Sequence, residues 1–123
     1  MSLPNINTIG ELKQALTRDY NKINSKIFSS GVVTLKIEVF DEKIFMLAVH
    51  KRLVSLEYLS KESRYVSDLA DFYLIKAFKT EMREVLTQNY GFKVASIFKD
   101  YDSVDELSST LVLLEESVQK YLP

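Results

Sequence analysis

The residues best equipped for chemistry lie in one acidic stretch, Asp100-Tyr101-Asp102-Ser103-Val104-Asp105-Glu106. Hard cations are held by several carboxylate oxygens, so a calcium or magnesium site is the first chemistry to consider. The twelve-residue calcium loop needs a third ligand where Val104 stands and a glycine at its bend, and this stretch has neither. Aspartates that favour turns account for the composition without a metal, so we read a solvated hairpin loop and expect no metal ligand. His50 is the only histidine, which rules out a paired-histidine motif. It follows a strand and precedes Lys51-Arg52, where it could act as a pH-sensitive contact or simply end the strand.

Lys51-Arg52, with Lys61 and Arg64 nearby, could meet a phosphate or an acidic partner, although scattered charges of this kind also make an ordinary solvated face. Glu57 stands among apolar neighbours in Leu53-Val54-Ser55-Leu56-Glu57. It could pair with a base or cap the connector, whereas a catalytic carboxylate also needs a second group and a pocket. We therefore name no catalytic residue and no cofactor, and take Lys51, Arg52, Leu53, Leu56 and Glu57 as candidate partner contacts. The three glycines are too far apart to form a phosphate loop. Seven Tyr and seven Phe follow helix and strand periods, which suits a core or an interface rather than a base-stacking platform.

The absence of cysteine excludes disulfides, zinc–thiolate sites and thiol catalysis. Sixteen basic and 17 acidic residues leave a formal charge of −1, which gives no footprint for nucleic acid. No basic segment followed by an apolar run opens the chain, and the apolar run Ile44–Val49 is far short of the ~20 residues that cross a bilayer. We expect a cytoplasmic protein with no direct membrane insertion, peripheral to the inner face of the membrane through a partner.

The positioning elements follow from periodicity. Thr8-Ile9-Gly10-Glu11 has capping-box spacing, and Ile9, Leu12, Leu16, Tyr20, Ile23 and Ile27 predict one helix to about Phe28, stopped by Ser29-Ser30 and a left-handed Gly31. Val33, Leu35, Ile37 and Val39 alternate with Thr34, Lys36 and Glu38, then Asp41-Glu42-Lys43 turns into a return strand, Ile44–Val49, that is apolar on both faces. The connector through Leu59 predicts a short helical turn, with Ser60 or Ser63 capping a second long helix to about Tyr90, ended by Gly91. Phe92–Phe98 and Leu107–Leu114 predict a second hairpin around a Lys99–Glu106 loop, and Val118, Tyr121 and Leu122 share a face in the tail.

Several landmarks in order carry a family resemblance: Gly31 before an apolar strand, Asp41-Glu42 at the hairpin turn, Leu53-x-x-x-Glu57, Gly91-Phe92-Lys93-Val94, Asp100-x-Asp102, and Leu114-Glu115 closing the last strand. Over about residues 9–116 the chain resembles the small bacterial MpsC family, also called YbcI-like. It departs from the commoner pattern at Ser29-Ser30-Gly31-Val32 and Val54-Ser55, where a glycine-rich, proline-containing entry and a threonine-proline-like connector are usual. The resemblance implies a soluble accessory protein of a membrane cation-translocating system for bicarbonate or carbon dioxide uptake, with its membrane transport subunits as partners. It implies no catalytic residue.

These readings combine into a single α+β domain over 1–123, with an αββαββ core at 8–116 and a tail at 117–123. A four-stranded antiparallel sheet is packed by two long helices on one face. The doubly apolar strand and the broad apolar surface of the second helix predict a homodimer. The leading function is a non-catalytic accessory or regulatory protein of the transport system; the alternative is a small-ligand- or nucleic-acid-binding regulator. An enzyme using Glu57 or the Asp100–Asp105 cluster ranks last.

Overall fold

The computed structural model describes residues 6–28 and 31–123. In order these form α1 (Ile9–Phe28), β1 (Val32–Phe40), β2 (Lys43–His50), α2 (Val54–Glu62), α3 (Arg64–Tyr90), β3 (Val94–Asp102), β4 (Leu107–Leu114) and a 3-10 turn at Val118–Tyr121. The four strands make one antiparallel sheet in the order β1-β2-β4-β3, so the two hairpins meet along β2 and β4. The architecture is the expected α+β one, and the connector forms a nine-residue helix, Val54–Glu62, longer than the helical turn its sequence predicts.

Local chemistry explains the boundaries. The Thr8 hydroxyl accepts from the Glu11 amide at 3.1 Å and closes the capping box that starts α1. Ser63 caps α3 by accepting from the Val66 amide. Gly91 ends that helix in the left-handed region at φ 68°, which glycine adopts without a Cβ penalty. Gly31 does not share this geometry: among the described residues Gly91 is the only glycine with positive φ, so the stop of α1 is not a left-handed Gly31. The rest of that predicted stop, Ser29-Ser30, lies outside the described residues.

The core fills the space between α1, α3 and one face of the sheet. Leu12, Leu16, Tyr20 and Ile23 of α1, Phe78, Met82 and Leu86 of α3, and Ile37, Ile44, Met46, Ile97 and Val112 of the sheet are all buried there. One strand prediction needs correction. A register irregularity between Val32 and Thr34 turns Val33 outward, 62% exposed, while Val32 packs on the core with Leu35 and Val39. The tail behaves as its spacing suggested: Val118 is buried, and Tyr121 and Leu122 lean on the same core.

Candidate functional site

The feature with the clearest chemical potential is absent from the candidate residues named above. Lys99 lies on β3, which runs on to Asp102 instead of stopping at Phe98. The continued alternation carries Ile97, Lys99 and Tyr101 to the helix-facing side of the sheet, opposite Val112, Thr110 and Ser108 of β4. There the Lys99 ammonium donates to the hydroxyls of Tyr20 (3.0 Å), Ser108 (2.8 Å) and Thr110 (3.1 Å). It also sits 3.9 Å from the centroid of the Phe78 ring and 5.0 Å from that of Tyr20. Its three hydrogen-bond partners are all neutral, and burial pushes its pKa down to about 7. The strand's extra length was the missing signal, because a lysine assigned to a loop is given no face.

Lys99 lies at a cleft of about 530 Å3 between α3 and β3, lined also by Asp68, Asp71, Phe72, Ile75, Lys76, Lys79, Asp100 and Tyr101. The lining carries three lysines and three aspartates, so it has no net preference for an anion or a cation. The arrangement can hold an amine close to half-protonation at neutral pH. It surrounds that amine with hydroxyls, which stabilise either protonation state, and presents no carboxylate to it as a hydrogen-bond partner.

A second polar group closes one end of the cleft. The Arg52 guanidinium, with its side chain 5% exposed, pairs with the Asp71 carboxylate at 2.8 Å and also donates to Ser67. The Arg52 amide donates to Glu106 Oε2 at 3.0 Å, and the Glu106 carbonyl accepts from the His50 amide at 3.1 Å. His50 is buried, its ring stacked on Tyr101 at 4.9 Å and tilted against Phe28. Neither of its ring nitrogens makes a well-formed hydrogen bond, the Lys51 backbone offering only a weak contact. Burial, then the nearby charge of Lys99, holds the His50 pKa below its ordinary value and favours the neutral ring. The Tyr101 hydroxyl donates to the His50 carbonyl, and burial helped by the Glu106 charge pushes its pKa up to about 12.

The candidate partner contacts therefore divide. Lys51 and Glu57 are exposed, Leu53 is half-buried at the cap of α2, and Arg52 and Leu56 are buried beneath the α2–α3 hairpin. The acidic stretch also divides. Asp100 and Asp102 belong to β3, and the Asp102 carboxylate accepts from the Val104 and Asp105 amides to build its own turn. Among the described residues no three His, Cys, Asp or Glu side chains converge to hold a metal ion.

Among exposed charges such as Glu57, Lys61, Arg64 and Asp68, the hairpin also offers many large apolar side chains outward. α3 has 27 residues and is about 40 Å long, yet Ser67 is its only buried residue before Phe78. This half of the helix stands across the cleft from β3. With α2 it exposes Val54, Tyr58, Leu59, Tyr65, Val66, Leu69, Phe72 and Tyr73, of which Tyr65 is 75% exposed. Sequence reading found the broad apolar surface of the helix but not its confinement to one end. Also among the described residues, no helix is long and apolar enough to cross a membrane. Comparison with protein-family models, with curated proteins and with solved structures gives no match to this chain.

Proposed function

We propose that this chain is a non-catalytic docking module that uses its α2–α3 hairpin to bind a larger assembly. The observation that carries the reading is the apolar end of that hairpin. Eight large apolar side chains stand exposed on two adjoining helices, beyond what scattered surface residues of a monomer require. Aromatic side chains dominate it (Tyr58, Tyr65, Phe72 and Tyr73), which matches the composition of interface centres. The buried Arg52–Asp71 pair and the cap at Ser63 stiffen the joint between the helices, so little ordering entropy opposes docking.

The identity of the partner rests on the resemblance: the subunits of a membrane cation-translocating system for inorganic-carbon uptake, met at the cytoplasmic face. Tagged protein recovered from gently solubilised native membranes is the test. Co-elution of those subunits with the parent, and their loss with Phe72→Glu and Tyr65→Glu, is the expected result. Recovery without any of them, while the complex stays intact by an independent tag, sinks the reading.

A second reading, a regulator of small-ligand type, draws on the cleft beside Lys99. It predicts a small molecule that raises the melting temperature of the parent but not of Lys99→Met. A screen of neutral and zwitterionic metabolites at pH 6.5 and 8.5 that moves both proteins equally, or neither, disposes of it.

A further inference from the structure

The helices cover one face of the sheet and leave the other open. Cross-strand register arranges this open face in rows. Lys36, Leu47, Ser109 and Asp100 form one row, and Glu38, Phe45, Leu111 and Phe98 form the next. The two inner strands are apolar along most of the face, where Val49 and Leu107 continue the band, and its charges are Lys36, Glu38, Asp100 and Asp102 on the outer strands with Lys43 at one end of β2. Phe45, Leu47 and Leu107 are each more than a third exposed and Phe98 is 57% exposed.

The strand order makes this pattern self-complementary. A two-fold axis parallel to the strands lays β1 of one copy over β3 of the other and β2 over β4, while each row stays over itself. Lys36 then faces Asp100 of the second copy, Phe45 faces Leu111, and Val49 faces Leu107. Lys36 meets Asp100 at both edges and much of the apolar band meets itself in the middle, as an isologous interface requires, while Glu38 falls opposite Phe98 and Lys43 opposite Leu113. Among the described residues Lys36 has only a loose contact with Glu38 at 3.9 Å, and Glu38 is also approached by Lys13 at 3.6 Å, so Lys36 is available across the axis. Four strands about 4.8 Å apart and about 27 Å long present roughly 500 Å2 of plan area per copy. Two copies bury on the order of 1,000 Å2, the lower limit for a specific interface.

We propose that the open face of the sheet is the interface of a two-fold homodimer in which Lys36 of one copy meets Asp100 of the other. Most of this face lies opposite the helices, with Asp100 at the edge where it also lines the cleft between α3 and β3.

Sedimentation equilibrium over the micromolar range tests it. The parent should weigh twice its 14.2 kDa at the upper end. Leu47→Lys, at a solvent-facing position, should give a monomer with an unchanged circular dichroism spectrum. Lys36→Glu and Asp100→Lys should each weaken the dimer about tenfold, and the double variant should recover most of the loss, a coupling of the size measured for close charge pairs across interfaces. A parent that stays monomeric, or a dimer indifferent to Leu47→Lys, overturns the proposal.

Discussion

Lys99 ties the stability of the fold to pH in a direction that can be worked out from its surroundings. In the unfolded chain its amine titrates near 10.5, and in the folded protein near 7. Above the higher value both states are neutral and burial of the amine has no charge cost. Between the two values the unfolded chain holds a proton that the folded chain has released, so stability falls as pH is lowered. Below about 7 both states are charged and the whole penalty is present. One proton of difference corresponds to about 1.4 kcal/mol per pH unit, or nearly 3 kcal/mol between pH 7.5 and 9.5. The ring faces of Phe78 and Tyr20 favour the charged form and work against the shift, so the slope tests the idea better than the midpoint. Lys99→Met removes the titration while keeping the length of the side chain, and the Tyr20 hydroxyl can still bond Ser108 and Thr110. Urea unfolding of both proteins at half-unit steps from pH 6.5 to 9.5 is the assay. His50 is held below its ordinary 6.5 and contributes little there. The stability of the parent relative to Lys99→Met should rise by about 1.4 kcal/mol per pH unit above pH 7.5. A difference that stays flat across that range refutes the reasoning: the hydroxyls and rings would then solvate the ammonium as well as water does.

Asp71→Ala leaves the buried Arg52 guanidinium without its carboxylate and should cost about 3 kcal/mol in urea unfolding. Arg52→Met with Asp71→Leu removes both charges together and should recover much of that loss. Gly91→Ala places a Cβ at φ 68° and should lower stability by about 1 kcal/mol, measured by the same unfolding curves. Thr8→Ala removes the acceptor for the Glu11 amide and should cost about 1 kcal/mol, with faster hydrogen exchange confined to the first turn of α1.

Much of the fold was legible because its signals are local. Thr8 and Glu11 stand three residues apart and cap α1, Gly91 ends α3, and the stripe from Leu12 to Ile23 is the buried one. Composition ends β3 at Phe98, because Lys99 and the acidic residues after it have the character of a loop, whereas the strand runs to Asp102. β-structure tolerates such residues when their polar groups find partners, and here Thr110 of β4 accepts from Lys99 while the Asp100 carboxylate accepts from the Tyr101 amide. Val33 went to the wrong face for a similar reason: strict alternation cannot anticipate a bulge set by register with β2.

For the candidate site, sequence alone located the connector as chemically interesting but could not sort it. Whether Arg52 meets a partner or a carboxylate of its own chain depends on Asp71, 19 residues away on another helix. The apolar and charged residues along each strand were readable from their alternation. That they make one band flanked by charge depends on β2 lying beside β4, an order that local propensity does not encode. Lys99 gives the sharpest instance. Its charge and its place in the chain are sequence facts, but its pKa is lowered by burial, and the side chains around it come from Tyr20, 79 residues before it, from Phe78 on α3, and from Ser108 and Thr110 on the next strand. Periodicity settles which side of an element is apolar. Only the packing of distant elements decides which polar groups are taken out of water together, because desolvation is a property of the assembled neighbourhood.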